Sequence, residues 1–144
     1  LILRYDTEGS VADTPSLFRI ILQVSDLDEA EQFYGALLGD RGRRIPHASR
    51  HYIDCGPVIL ALVDPAIDNE KAKSLPDYIY FSVGNIEEVH DRARNLSCLS
   101  TEEFHGQSAG DIVVRSWRER SFYVRDPWGN GLCFVDNTTL FTGR

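Results

Sequence analysis

Apolar and polar positions along the chain change period twice, and each change marks an element. The run Leu17-Phe18-Arg19-Ile20-Ile21-Leu22-Gln23-Val24 is rich in β-branched and aromatic residues and predicts a strand. The period then lengthens: Ala30, Phe33, Tyr34, Leu37 and Leu38 recur at helical spacing and form one apolar stripe. Asp26 stands ahead of that stripe as a helix N-cap, Glu29 completes a capping box, and Gly39 ends the helix. Strands are predicted next over 42–47, 50–55 and 57–63, with Gly56-Pro57 separating the last pair.

The second half repeats the plan. Asp77 to Val83 reads as a strand, Asn85 as an N-cap with Glu88 three residues on, and Ile86, Val89, Ala93 and Leu96 as the apolar stripe. Strands follow at about 111–117, 119–125 and 131–136, the last two joined by the turn Asp126-Pro127-Trp128-Gly129-Asn130-Gly131. Val24-Ser25-Asp26-Leu27-Asp28-Glu29 overlays Val83-Gly84-Asn85-Ile86-Glu87-Glu88, an offset of 59 residues (Asn85 on Asp26). Gly56 and its following strand overlay Gly129 and Gly131-Leu132-Cys133, an offset of 73 (Gly129 on Gly56). The two offsets differ because the second half carries a longer loop, around Ser97 to Gly110. A short repeat inside one domain implies a pseudo-twofold fold.

Strand alternation sorts the faces. Ile20, Leu22 and Val24 share one face and Ile79, Phe81 and Val83 its counterpart, so these wholly apolar sets are expected to meet the helices. Arg19, Ile21 and Gln23, with Tyr78, Tyr80 and Ser82, are left to line the other side. The predicted fold is α+β: two βαβββ repeats forming a curved mixed sheet, or cup, with helices on the outer face. The domain is expected over 17–136, as repeats 17–63 and 77–136. It is flanked by an N-terminal extension, 1–16, and a C-terminal tail, 137–144. The absence of Met, even at position 1, suggests that the chain has lost its start.

Composition narrows the function. The 144 residues are 42% hydrophobic and 26% charged, the balance of an ordinary globular domain. A formal net charge of −7 argues against a nucleic-acid surface or an anionic membrane, both of which need a basic footprint. Cys55, Cys98 and Cys133 are odd in number and widely spaced, which fits reduced thiols in a cytoplasmic protein and excludes a zinc knuckle.

The residues resemble the vicinal oxygen chelate superfamily, which includes glyoxalase I, the bleomycin and fosfomycin resistance proteins and the extradiol dioxygenases. The resemblance rests on Gln23-Val24-Ser25-Asp26-Leu27 with Phe33-Tyr34 and Leu38-Gly39, and on Phe122-Tyr123-Val124-Arg125-Asp126-Pro127-Trp128-Gly129-Asn130. In metal-using members the first and last strands of each repeat supply His, Gln or Glu ligands. By the motif offsets those places hold Arg19, Leu60, Tyr78 and Cys133. An arginine stays protonated and repels a cation, and shifting the register by one or two residues gives no set with two good ligands. No metal and no other cofactor is therefore expected.

Ten residues form the candidate binding set. Arg19 suits a ligand carboxylate or phosphate, or else a structural ion pair or a subunit seam. Tyr78, Tyr80 and Tyr123 offer apolar rings with polar tips for a planar ligand, and core packing is the alternative for each. Gln23 and Leu60 stand on cup strands, and His51 is expected on a cup-edge strand. Trp117 and Arg120 are candidates for the mouth of the cup, within a basic run (Arg115, Arg118, Arg120) otherwise read as solvated, like Arg41-Gly42-Arg43-Arg44. Cys133 completes the set, either as a reactive thiol or as an inert buried one. His90 and His105 read as solvated. No chemistry falls to the Asp-Pro-Trp-Gly-Asn turn.

These readings lead to a metal-independent small-molecule binder of the bleomycin-resistance type, taking a planar or anionic ligand in the cup. The alternatives are a metal-dependent lyase, isomerase or dioxygenase, and an interaction module with no ligand. By resemblance a homodimer is expected, with Leu140-Phe141 available to pack on the partner.

Overall fold

Asp26 does cap the first helix, accepting the Glu29 backbone N–H at 3.0 Å, and Gly39 closes it in the left-handed conformation at φ 77. That helix, α1 (Leu27–Leu38), follows strand β1 (Arg19–Gln23) and precedes β2 (Arg43–Ile45), β3 (Arg50–Cys55) and β4 (Val58–Val63). The structure is a computed structural model and describes residues 14–144, so most of the expected N-terminal extension lies outside the described residues. After a short 3₁₀ turn, Pro65–Asp68, the pattern recurs as β5 (Tyr78–Val83) and α2 (Ile86–Asn95). A hairpin of β6 (Glu103–Phe104) and β7 (Gln107–Ser108) follows, then β8 (Val113–Val114), β9 (Arg120–Arg125) and β10 (Gly131–Asp136). Asn85 caps α2 through the Glu88 N–H at 3.1 Å.

Each repeat builds a four-stranded mixed sheet, in the orders β1-β4-β3-β2 and β5-β10-β9-β8. In both, the first and last strands run parallel across the helical crossover: Arg19 lies opposite Ile59, and Tyr78 opposite Gly131. The fold is therefore α+β, as two open sheets whose edge strands β1 and β5 are not hydrogen-bonded to one another. One core serves both sheets. Leu22, Ile53, Leu60 and Leu62 from the first repeat and Phe122, Val124, Leu132 and Phe134 from the second meet Tyr34, Leu37, Ile86 and Ala93 of the helices. Each such side chain contributes about 1.5–3 kcal/mol by leaving water.

Two predicted strands keep no more than half of their expected length. The 42–47 segment keeps three residues, because a turn begins at Pro46 and both His47 (φ 62) and Ser49 (φ 49) leave the extended region. The 111–117 segment keeps only Val113–Val114; Arg115 N–H donates to Glu119 O at 2.8 Å and closes a turn through Arg118 (φ 75). The long loop holds the hairpin the sequence concealed, turning at His105 (φ 53) and Gly106 (φ 78), as a two-residue turn with both φ positive requires.

Candidate functional site

Register assigns every strand residue to a face. On the face away from the helices the first sheet presents Arg19, Ile21 and Gln23 of β1, Ile59 and Ala61 of β4, and Tyr52 and Asp54 of β3. The second presents Tyr78 and Tyr80 of β5, Cys133 and Val135 of β10, and Ser121, Tyr123 and Arg125 of β9.

The first of these surfaces is open. Arg19 is exposed, its Nη1 donating to the Tyr52 hydroxyl at 3.2 Å while its guanidinium carbon lies 5.1 Å from the Phe18 ring centre and 5.7 Å from that of Tyr52. It has no carboxylate partner among the described residues, whereas its neighbour Arg43 is paired to Asp54 at 3.1 Å. Gln23 is turned toward the linker, where its Oε1 accepts from Lys73 N–H at 2.9 Å.

The second surface is filled by its own chain. The Tyr123 ring centre lies 4.9 Å from that of Tyr78, 4.9 Å from Phe104 and 6.3 Å from Tyr80, each pair edge to face. Phe104 and Ala109 come from the long loop, which folds over the sheet and covers Tyr123 and Cys133. Arg125 donates to the Tyr78 hydroxyl at 2.8 Å and to Glu102 at 2.8 Å, and Tyr78 donates to Glu102 at 3.1 Å. The Arg125 bond holds the Glu102 carboxyl below its ordinary range, while burial raises the hydroxyls of Tyr78 and Tyr123. Tyr80 is the member left at the edge, 54% exposed.

Several expectations change on this geometry. Leu60 pairs with Ile20 and Ile53 on the helix face and is core, not cup. His51 shares the face of Leu62; it is buried, with Nε2 2.6 Å from Arg41 O, so it supports the α1–β2 loop. Arg120 points to the helix side, where it pairs with Glu87 of α2 and with Asp136. Trp117 donates to Glu119 at 2.6 Å and lines a shallow hollow with Phe104 and His105. Arg115 is not a solvated charge but a buried one: it donates to Ser121 Oγ and to the carbonyls of Ser108, Ala109, Asp111 and Ser121, beside the Tyr123 ring. His90 is half-buried, with Nε2 2.9 Å from Gly110 O and its ring edge-on to Phe122.

The Asp126–Asn130 turn, read from the sequence as needed for geometry and given no chemistry, makes contacts that the sequence did not show. Asp126 is buried and accepts from Tyr34 Oη at 2.8 Å, from Asn130 Nδ2 at 2.8 Å and from two turn amides. Asn130 Nδ2 also donates to Gln23 O at 3.0 Å, and Trp128 Nε1 to Ser25 Oγ at 2.6 Å. The turn thus fastens the second sheet to the end of β1. Its signal was the pairing of a buried-type tyrosine with a conformationally demanding Asp-Pro-x-Gly-Asn run.

The donor set does not suit a divalent ion. The four places that the resemblance assigned to ligands hold an arginine, a leucine that register turns into the core (Ile59 and Ala61 take the cup face of β4), a tyrosine already bound to Arg125 and Glu102, and a thiol that burial pushes up to about 11. Among the described residues no three His, Cys, Asp or Glu side chains converge.

The sequence profile of the glyoxalase/bleomycin resistance protein/dioxygenase superfamily matches residues 16–134. The chain belongs to that superfamily. Among solved structures it is similar to a glyoxalase/bleomycin resistance protein from Albidiferax ferrireducens T118. That likeness has a TM-score of 0.68 at 21% identity, over 83% of this chain and 97% of the other. It is also similar to a lactoylglutathione lyase from Agrobacterium tumefaciens, with a TM-score of 0.62 at 21% identity over 86% and 95%. A third likeness is to the oxidase ChaP-H2, with a TM-score of 0.65 at 19% identity over 85% and 94%. Identities this low carry the fold alone. No curated protein sequence matches the chain. Among the described residues no helix is long and apolar enough to cross a membrane.

Proposed function

We propose that this superfamily member is a metal-independent binder of a planar or anionic small molecule, held against the helix-free face. The observation that carries this reading is Arg19: an exposed guanidinium beside the Tyr52 ring, with no carboxylate partner among the described residues. A planar carboxylate can take two parallel hydrogen bonds from such a group while its ring lies on aromatic and aliphatic neighbours. Tyr80, on the edge strand of the second sheet, supplies a further exposed ring. The donor set supports metal independence, since it offers a cation where an ion would need a lone pair. We further infer a cytoplasmic homodimer, in which the exposed Leu140 and Phe141 pack on the partner.

The test is a thermal-shift titration with naphthalene carboxylate, alongside metal content after incubation with zinc, nickel, iron(II) and manganese. A rise in Tm with the carboxylate that Arg19→Leu removes, and no bound metal, is the expected result. About one tightly held metal per chain, with a rise in Tm, would overturn this reading in favour of the lyase, isomerase or dioxygenase chemistry of metal-using relatives.

A further inference from the structure

The repeat makes a symmetry argument possible. By strand register Arg19, Ile59 and Asp54 match Tyr78, Gly131 and Arg125, so Asp126 corresponds to Cys55 and Asn130 to Val58, while the offset of 59 puts Ala93 in the place of Tyr34 and Gly84 in that of Ser25. The corresponding positions at the other end thus carry an apolar residue, a glycine or a thiol, and the two-residue turn Gly56-Pro57 has no place for a Trp128. Val58 has no side-chain amide with which to hold β5 as Asn130 holds β1. The seam is closed at the Gln23 end, and the structure has a cleft of about 570 Å³ at the other.

That cleft lies on the opposite face from Arg19. One wall is Ile20, Leu60 and Val58; the facing wall is Ile79, Phe81 and Val83. Leu37 and Val89 of the two helices also line it, and its polar lining is Arg92, Asp40, Asp54, Cys55, Tyr80 and Ser82. The volume is that of an ordinary small-ligand pocket, and apolar walls with a few polar groups are its usual chemistry. Left empty, such walls cost stability, because they lose packing partners without gaining polar contacts to water.

We propose that this inter-repeat cleft is a second binding site, for an uncharged, hydrocarbon-rich small molecule bearing one hydrogen-bond acceptor. Charge is disfavoured because the walls are apolar and the lining cation, Arg92, is already paired with Glu88. The acceptor would lie toward Arg92. Its Nη2 is engaged by Glu88 at 2.9 Å, but its Nη1 has only a long contact, 3.4 Å, to Leu37 O. Arg19 is not part of this cleft, although Tyr80 borders it, so loss of the Arg19 site leaves the cleft testable.

The experiment uses the intact chain and a neutral acylnaphthalene dye (prodan), whose emission shifts to the blue in apolar surroundings. The expected result is saturable binding of one dye per chain, with Cys55 protected from iodoacetamide in its presence. Val58→Phe and Cys55→Phe, which fill the cleft from two sides, should each weaken dye binding about tenfold or more with unchanged circular dichroism, while Arg19→Leu should leave it unaltered. Dye binding that survives both filling variants would overturn the proposal. So would a cleft that excludes the dye as protein concentration rises and a second copy covers it.

Discussion

Tyr34 and Asp126 stand 92 residues apart in the chain and 2.8 Å apart in the fold, both buried. The tyrosine lies on the first helix and the aspartate in the second repeat's turn, so this bond joins the repeats. Burial, and then the neighbouring Asp126, raise the Tyr34 hydroxyl well above its ordinary range, which keeps it a donor. Tyr34→Phe should cost about 1–2 kcal/mol, the loss of one buried hydrogen bond to a carboxyl group that keeps its other donors. Asp126→Ala should cost more, about 3 kcal/mol, because Tyr34, Asn130 and two turn amides all lose their acceptor. Urea unfolding of both variants and of the double variant measures the coupling; additive losses would show that the two groups do not act as a unit.

Arg115 tests whether a buried guanidinium holds the long loop on the second sheet. Arg115→Met keeps the bulk but strips donors from four carbonyls, and should destabilise the protein by about 3 kcal/mol or more. Arg118→Met, three residues along in an exposed turn, should stay within about 0.5 kcal/mol of the parent. Equal effects on the urea midpoint would mean that the burial of Arg115 does not matter.

Gly131 is needed for space rather than for its backbone angle. A Cβ there would stand 2.4 Å from the Tyr78 ring, which lies across the start of β10. Gly131→Ala should therefore cost about 1–3 kcal/mol through overpacking. In the background of Tyr78→Ala the same substitution should cost much less. A loss unchanged by removal of the ring would point to the Arg125 guanidinium, 3.0 Å from the same position, as the group that clashes.

The thiols give a pH dependence with a definite sign. Cys98 and Cys133 are buried and pushed up to about 11 from an ordinary value of 9.0, desolvation being the largest cause in both. The folded state then keeps two protons that the unfolded chain releases first. Their contribution is complete below pH 9 and falls as pH rises from about 9 to 11, so unfolding midpoints should drop across that window. Alanine at both positions should flatten the slope. At pH 8 only Cys55, half-buried and also raised by burial and then by Asp54, should react with Ellman's reagent, and slowly; all three should react in denaturant.

Much of this architecture follows from local rules. Asp26 and Asn85 cap helices because a short acceptor ahead of an apolar stripe satisfies free N–H groups. The 59-residue overlay of Val24–Glu29 on Val83–Glu88 fixes the repeat, because capping and strand-end chemistry are local. Alternation also placed Arg19 and Tyr80 on the helix-free face, since a two-residue period needs only the strand's own sequence. The 73-residue motif offset misplaced Leu60, because register makes the true offset 72 (Gly131 on Ile59) and one residue of error turns a strand residue to the other face; His51, placed only by its strand, went the same way. Tertiary structure alone decided the rest. It buried Arg115 under a loop whose closing hairpin turns at a histidine, it filled the second sheet's cup face with Phe104, and it fastened the end of β1 to the second repeat through the Asp126–Asn130 turn. Those outcomes depend on groups tens of residues apart finding hydrogen-bond partners in the dry interior, and no local pattern in the chain encodes which groups will meet.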